Sequence, residues 1–301
     1  MLQNSKKNIS YINCISISNK ETNEDYVVSF KNSKIDIQGV IVADGIGSHY
    51  KAEKGAEFCA KTLKRKLEAC SFAEEFNLKK FFREVQKELN SELRKDLSEE
   101  EAPKDIFGTT LICAVETRDR FLFAYLGNGS IWHLKGNFPS AIKYNILMPW
   151  NVANYLNPHV TYEQGKPSLY RFFAMDMPEE KIHPTVFEIE KDKWVGDIIV
   201  ISSDGLFSND NVQAAKAQDG TLWIGGYDKV ILLFTHLKEL ACTKKISEEK
   251  VQKALENFKE ELKGNIDDDT TLGVIYSSEA IEFQAKNYVK NNKDNQESGD
   301  V

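Results

Sequence analysis

The stretch VIVADGIGSHY, Val40 to Tyr50, opens on apolar β-branched residues and turns polar at Asp44, with glycines at positions 45 and 47. A continuous apolar run of this length reads as a strand buried on both faces. It ends on a carboxylate. Asp-Gly is also a common turn pair, so Asp44 taken alone reads first as a turn residue. The alternative is a charge held at the lip of the core, and the sequence to either side bears on that choice.

Upstream, Tyr11–Ser18 and Tyr26–Phe30 read as strands, and Ile37–Ala43 runs as a strand into the quoted stretch. Downstream, Ala52, Ala56, Cys59, Ala60, Leu63 and Leu67 recur at three- and four-residue steps. Leu78, Phe81, Phe82, Val85, Leu89 and Leu93 do the same. Each set predicts an amphipathic helix lying on the outside of a sheet. After Pro103 the strands return as Thr109–Glu116, Arg120–Gly127 and Ser130–Leu134, the first two joined by the short polar turn of a hairpin. Further strands are expected at Thr185–Glu190, Asp197–Ser203 and Thr271–Tyr276, with helices over Asp228–Ala241 and Ser247–Leu262. Asn137–Tyr170 shows no regular period. Strands and helices arrive in blocks rather than in βαβ alternation, which favours an α+β architecture. One domain over 1–278 and a polar, mobile tail over 279–301 are expected.

The chain has 301 residues and a net charge of −7, with 41% apolar and 28% charged residues. Such a balance suits a soluble globular protein and argues against a nucleic-acid surface, which needs basic charge. The first residues contain no apolar signal core, and the densest apolar run, Val230–Phe234, is too short to span a bilayer. A cytoplasmic protein without a membrane partner is the expectation. The five cysteines are widely spaced and form no C-x-x-C pair, which excludes a simple thiolate zinc site and a disulfide framework.

Four acidic groups abut apolar strands: Glu24 and Asp25 at a strand start, Asp44 and Asp204 at strand ends, and Asp267, Asp268 and Asp269 before the last strand. Mg²⁺ and Mn²⁺ take oxygen ligands of this kind, and strand ends are rigid places from which to offer them. Two carboxylates about 4 Å apart repel by roughly 4 kcal/mol at an effective dielectric near 20. A cluster of several therefore calls for a cation.

TNEDYVV, VADGIGSH, FGTTLICAV, FLFAYLGNGS, VISSDGLFSN and DDDTTLGVI follow one another between Thr22 and Ile275. In content and order these blocks resemble those of the PP2C-type (PPM) metal-dependent protein phosphatases, in the style of bacterial members. The resemblance implies a sandwich of two antiparallel β-sheets flanked by α-helices, with two Mn²⁺ or Mg²⁺ ions at one edge. Asp44 would bridge the ions and the Gly45 carbonyl would ligate one of them. Glu24 would serve that ion, Asp25 would hold one of its waters, and Asp204 and Asp267 would hold the other ion. Asp268 and Asp269 would stand outside the ligand set or in solvent.

This sequence departs from the family pattern at Lys20, where an arginine usually grips the substrate phosphate; Lys20 would take that part as a point charge. It departs again at Asn128, where an aspartate helps hold a weaker third ion, which makes a third ion here doubtful. The activity implied is hydrolysis of phosphoserine or phosphothreonine in proteins, opposing a Ser/Thr kinase. The alternative is a weak or inactive member that binds phosphoproteins or a regulatory partner.

Overall fold

Val40 and Val42 leave their strand on one face, Ile41 and Ala43 on the other, and all four are essentially inaccessible to solvent. The strand is therefore an inner layer with neighbours on both sides, as its unbroken apolar run predicts. The computed structural model describes residues 10–97, 105–135, 151–163, 166–207, 213–216, 222–225, 228–241, 243 and 245–286.

In chain order the strands are β1 (Tyr11–Ile17), β2 (Asp25–Asn32), β3 (Ile37–Asp44), β4 (Leu111–Glu116), β5 (Arg120–Leu126), β6 (Ser130–Lys135), β7 (Asn151–Asn154), β8 (Val160–Glu163), β9 (Lys166–Leu169), β10 (Thr185–Glu190), β11 (Asp197–Ser202), β12 (Gln213–Lys216), β13 (Leu222–Gly225) and β14 (Thr270–Tyr276). The helices are α1 (Ala52–Ala69), α2 (Leu78–Glu92), α3 (Asp228–Ala241) and α4 (Glu248–Leu262). One five-stranded sheet runs β10-β5-β4-β3-β2 and the other β1-β14-β11-β6-β7, while β8-β9 and β12-β13 are separate pairs. Every pairing in the two large sheets is antiparallel.

Three apolar layers hold the sandwich together. Ile41, Ala43, Leu111 and Cys113 pack under the stripes of α1 and α2. Val40, Val42, Ile112, Ile199, Ile201 and Ile275 fill the space between the sheets. Val200, Leu272, Val274 and Tyr276 face the inner sides of α3 and α4. The sequence is thus folded as helices, sheet, sheet, helices. The helical positions picked out by period for α1 and α2 are all buried, down to Leu93 just past α2. Asn77 caps α2 and Ser247 caps α4, each accepting from the backbone N–H three residues on.

The chain does not leave the fold at residue 279. Residues 278–286 are helical. Ala280 is fully buried, Tyr276 donates its hydroxyl to Gln284 at 2.9 Å, and Gln284 donates to the Leu240 carbonyl at 2.7 Å. Polar composition hid this docking, to which Ala280, Ile281 and Gln284 contribute together with an ion pair from Glu279 to Lys191. The rest of the expected tail, 287–301, lies outside the described residues, as does 136–150 of the irregular region. No helix among the described residues is long and apolar enough to cross a membrane.

Candidate metal and active centre

Antiparallel register sets the first part of the centre. Asp25, which opens β2, lies directly opposite Asp44, which closes β3. From the same edge of the other sheet, β11 ends and a single helical turn begins at Asp204. The Asp44 side chain meets the carboxyl groups of both Asp25 and Asp204 by hydrogen bonds. Carboxyl groups in such contact must share protons or a cation.

The backbone around them is fixed. The Asp44 carbonyl accepts from Thr110 N–H at 2.8 Å and from the Thr109 hydroxyl at 2.9 Å. Ser203 donates its hydroxyl to Asp25 at 2.7 Å and receives the Thr271 N–H at 3.0 Å, tying one sheet to the other. Asn128, from the turn between β5 and β6, donates its amide to Asp204. Gly45 N–H reaches the Glu24 carbonyl at 3.1 Å. A Cβ at position 45 would stand 2.7 Å from that same oxygen, so the closeness of the two segments requires glycine. At Gly205 a Cβ would fall 1.9 Å from the Asp269 carbonyl, with the same consequence.

Burial dominates the electrostatics. It pushes the Asp44 carboxyl well above the ordinary carboxylate range, and the nearby charges of Asp25 and Asp204 push it further. Burial likewise raises Asp25 to about 7, against the opposing hydrogen bonds from Ser203 and Thr271. Asp204 is raised by burial and by the charge of Asp268, while its bonds to Asp44 and Asn128 pull the other way.

The three aspartates of the DDDT block stand in three different settings. Asp267 pairs with Lys229 of α3. Asp268 is half-exposed, pairs with Lys20 at 2.9 Å, and is the charge felt by Asp204, with a smaller effect on Asp44. Asp269 is buried and accepts the Glu24 N–H at 2.9 Å. Lys20 also reaches Glu24 at 3.1 Å. Desolvation works to lower the Lys20 pKa, yet its bonds to Asp268 and Glu24 outweigh that and raise it.

The donor set suits a hard divalent cation: it is all oxygen, it repels itself, and Asp269 Oδ1 and Asn128 Oδ1 are buried there without hydrogen-bond partners. Among the described residues no three His, Cys, Asp or Glu side chains are already grouped in ligating geometry. The carboxylates touch each other and the two lysines instead. Ser203 and Lys229 belong to this constellation although the motifs point to neither, and Asp269, expected outside the ligand set or in solvent, is buried beside it. The repeated aspartates were a signal for Asp269, whereas a lysine in the first turn of a helix carries none.

A sequence model described as protein phosphatase 2C matches residues 16–257. No curated protein matches the chain. The fold is similar to the serine/threonine phosphatase of S. agalactiae, with a TM-score of 0.58 and 16% identity over 89% of this chain and 99% of that one. It is similar to Stp1 from Staphylococcus aureus, at 0.56 and 16% over 89% and 95%. The catalytic domain of PstP, solved in complex with two manganese ions, aligns at 0.52 and 16% over 89% and 97%. At such identities the structural likeness speaks for the fold, while the sequence match spans most of the chain. The two large antiparallel sheets with helices on both outer faces, and the acidic residues Glu24, Asp25, Asp44 and Asp204 in their order along the matched region, agree with that match: the chain belongs to the protein phosphatase 2C family.

Proposed function

We propose that this protein is a metal-dependent phosphatase that hydrolyses phosphoserine or phosphothreonine in proteins. The observation that carries the reading is the meeting of Asp25, Asp44 and Asp204, from strand ends of two sheets, within the family-matched region. In this reading Glu24, Asp25, Asp44 and the Gly45 carbonyl serve one ion, and Asp44, Asp204 and Asp267 the other. Bound Mn²⁺ or Mg²⁺ would supply an activated water and positive charge for the phosphoryl oxygens.

The chain's own residues do the positioning. Thr109 and Thr110 keep Asp44 from turning out of the cleft, Ser203 aims Asp25, and Asn128 steadies Asp204. Asn128 brings no charge, so a third ion is not part of the proposal. A phosphorylated protein is the proposed substrate and a Ser/Thr kinase the proposed antagonist. The cytoplasm is the proposed location, a reading that suits the free cysteines at positions 14, 59, 70 and 113 among the described residues.

The test is hydrolysis of p-nitrophenyl phosphate and of phosphopeptides at graded Mn²⁺. Metal-dependent turnover that disappears in Asp44→Asn and Asp204→Asn, and that favours phosphopeptides over sugar phosphates, is the expected result. Turnover that persists in a chelator would sink the reading. One observation favours a second reading, a module that binds phosphoproteins without turnover: Lys20 and Lys229 already neutralise part of the cluster. Phosphopeptide binding without hydrolysis at saturating Mn²⁺ would select it.

A further inference from the structure

Two ammonium groups are built into the carboxylate cluster. Lys20 Nζ lies 3.1 Å from Glu24 Oε2, 2.9 Å from Asp268 Oδ1 and 3.4 Å from Asp269 Oδ2. The ammonium donates hydrogen bonds to Glu24 and Asp268 and forms a longer ion pair with Asp269. Lys229 Nζ donates to the Gly205 carbonyl at 2.9 Å and pairs with Asp267. Its side chain is only 12% exposed, so it is not a surface lysine that meets an aspartate in passing. Between them the two lysines engage Glu24, Asp267, Asp268 and Asp269, and the carbonyl of the residue after Asp204.

We propose that Lys20 and Lys229 are resident cations of this centre. They occupy as ammonium groups the ground that a divalent ion needs, and metal loads by displacing them. The proposal rests on reading the centre as a divalent-cation site. The physical basis is direct. A carboxylate cluster that must persist without metal needs counter-charge, and a lysine supplies it on a flexible stem that can withdraw without moving the backbone. A divalent ion arriving beside Glu24 or Asp267 meets the repulsion of an ammonium and must share its ligands. Metal affinity is then set by the grip on these two lysines as well as by the ligands themselves. The same contacts bear on phosphate binding: two of the three Lys20 donors are held by Glu24 and Asp268, so an anion must compete with those carboxylates for the ammonium.

The experiment is titration calorimetry with Mn²⁺ on the full chain, paired with thermal melts in chelator and in saturating Mn²⁺. Lys20→Met and Lys229→Met keep the side-chain length and remove the charge. Each is expected to tighten Mn²⁺ binding about tenfold, the effect of deleting one positive charge near a divalent ion. Each should also melt lower than wild type in chelator and gain more from Mn²⁺. Lys20→Arg, which keeps the charge, should bind Mn²⁺ within about threefold of wild type. Unchanged or weaker binding in both methionine variants, with a wild type that binds, overturns the proposal and leaves the phosphatase reading standing. Binding by the variants but not by wild type supports it. If neither wild type nor variants bind Mn²⁺, the centre takes no ion and both readings fall.

Discussion

Asp44 is held by neighbours that oppose each other. Thr109 and Thr110 fix its carbonyl, while its side chain is pressed against Asp25 and Asp204. Like charges placed opposite each other on paired strands destabilise a sheet by up to about 1 kcal/mol. Asp44→Asn keeps the shape and removes a carboxyl whose burial penalises its charged form, so the gain appears where that carboxyl would ionise. At alkaline pH in chelator we expect it to melt about 2–4 °C higher than wild type. Its phosphatase turnover should fall at least ~100-fold. A melting point below wild type would show that the contact is not repulsive. The residues at this scale divide by what local sequence can reveal. Asp25, Asp44 and Asp204 stand out because each interrupts or abuts an apolar run. Ser203 does not, because its partner Asp25 lies 178 residues away, and the bond that Asp269 accepts from Glu24 across 245 residues is likewise encoded in no local period.

Among elements, the turn between β5 and β6 shows how a remote residue positions a near one. Gly127, next to Asn128, donates its N–H to His159 Nδ1 at 3.1 Å and accepts from the His159 N–H at 2.9 Å. His159 Nε2 lies 3.0 Å from the Thr185 hydroxyl, and its ring stacks on Tyr125. An Nδ1 that accepts must be unprotonated. Burial, and then the charge of Arg171, accordingly lower the His159 pKa to about 4. The folded value lies below the ordinary histidine value near 6.5, so the unfolded chain takes up the proton first. The contribution to stability is complete above about pH 6.5 and is lost as pH falls towards 4. Urea midpoints measured across that window should fall more steeply for wild type than for His159→Gln, whose amide can accept from Gly127 but does not titrate. Parallel curves would remove this role. Motif reading left His159 unassigned, since a lone histidine has no spacing to interpret.

At the scale of the molecule, hydrophobic period made the layering legible. β3 and β11 read as continuous apolar runs because both faces are covered, and α1 and α2 show a single stripe because one face is. The short strands β7, β8 and β9 fall in the region without a period, and the closing helical stretch over 278–286 was hidden by polar composition. That stretch is held by Gln284, whose amide satisfies two elements at once. Gln284→Ala leaves the buried Tyr276 hydroxyl unpaired, while the Leu240 carbonyl keeps its bonds from Thr243, and should cost about 1–3 kcal/mol in urea unfolding, with turnover unchanged. A loss below a few tenths would mean that the stretch is not part of the cooperative unit.

Ser203 joins the two sheets at the very place where their carboxylates meet. The centre is therefore assembled across a seam, half of it riding on each sheet. What keeps the halves in alignment, besides the Ser203 bonds, is the packing of Val40, Val42, Ile199 and Ile275 in the layer behind it. In such an arrangement those aliphatic side chains act as a vernier: a small slip of one sheet past the other would change every distance in the centre together while leaving each sheet intact.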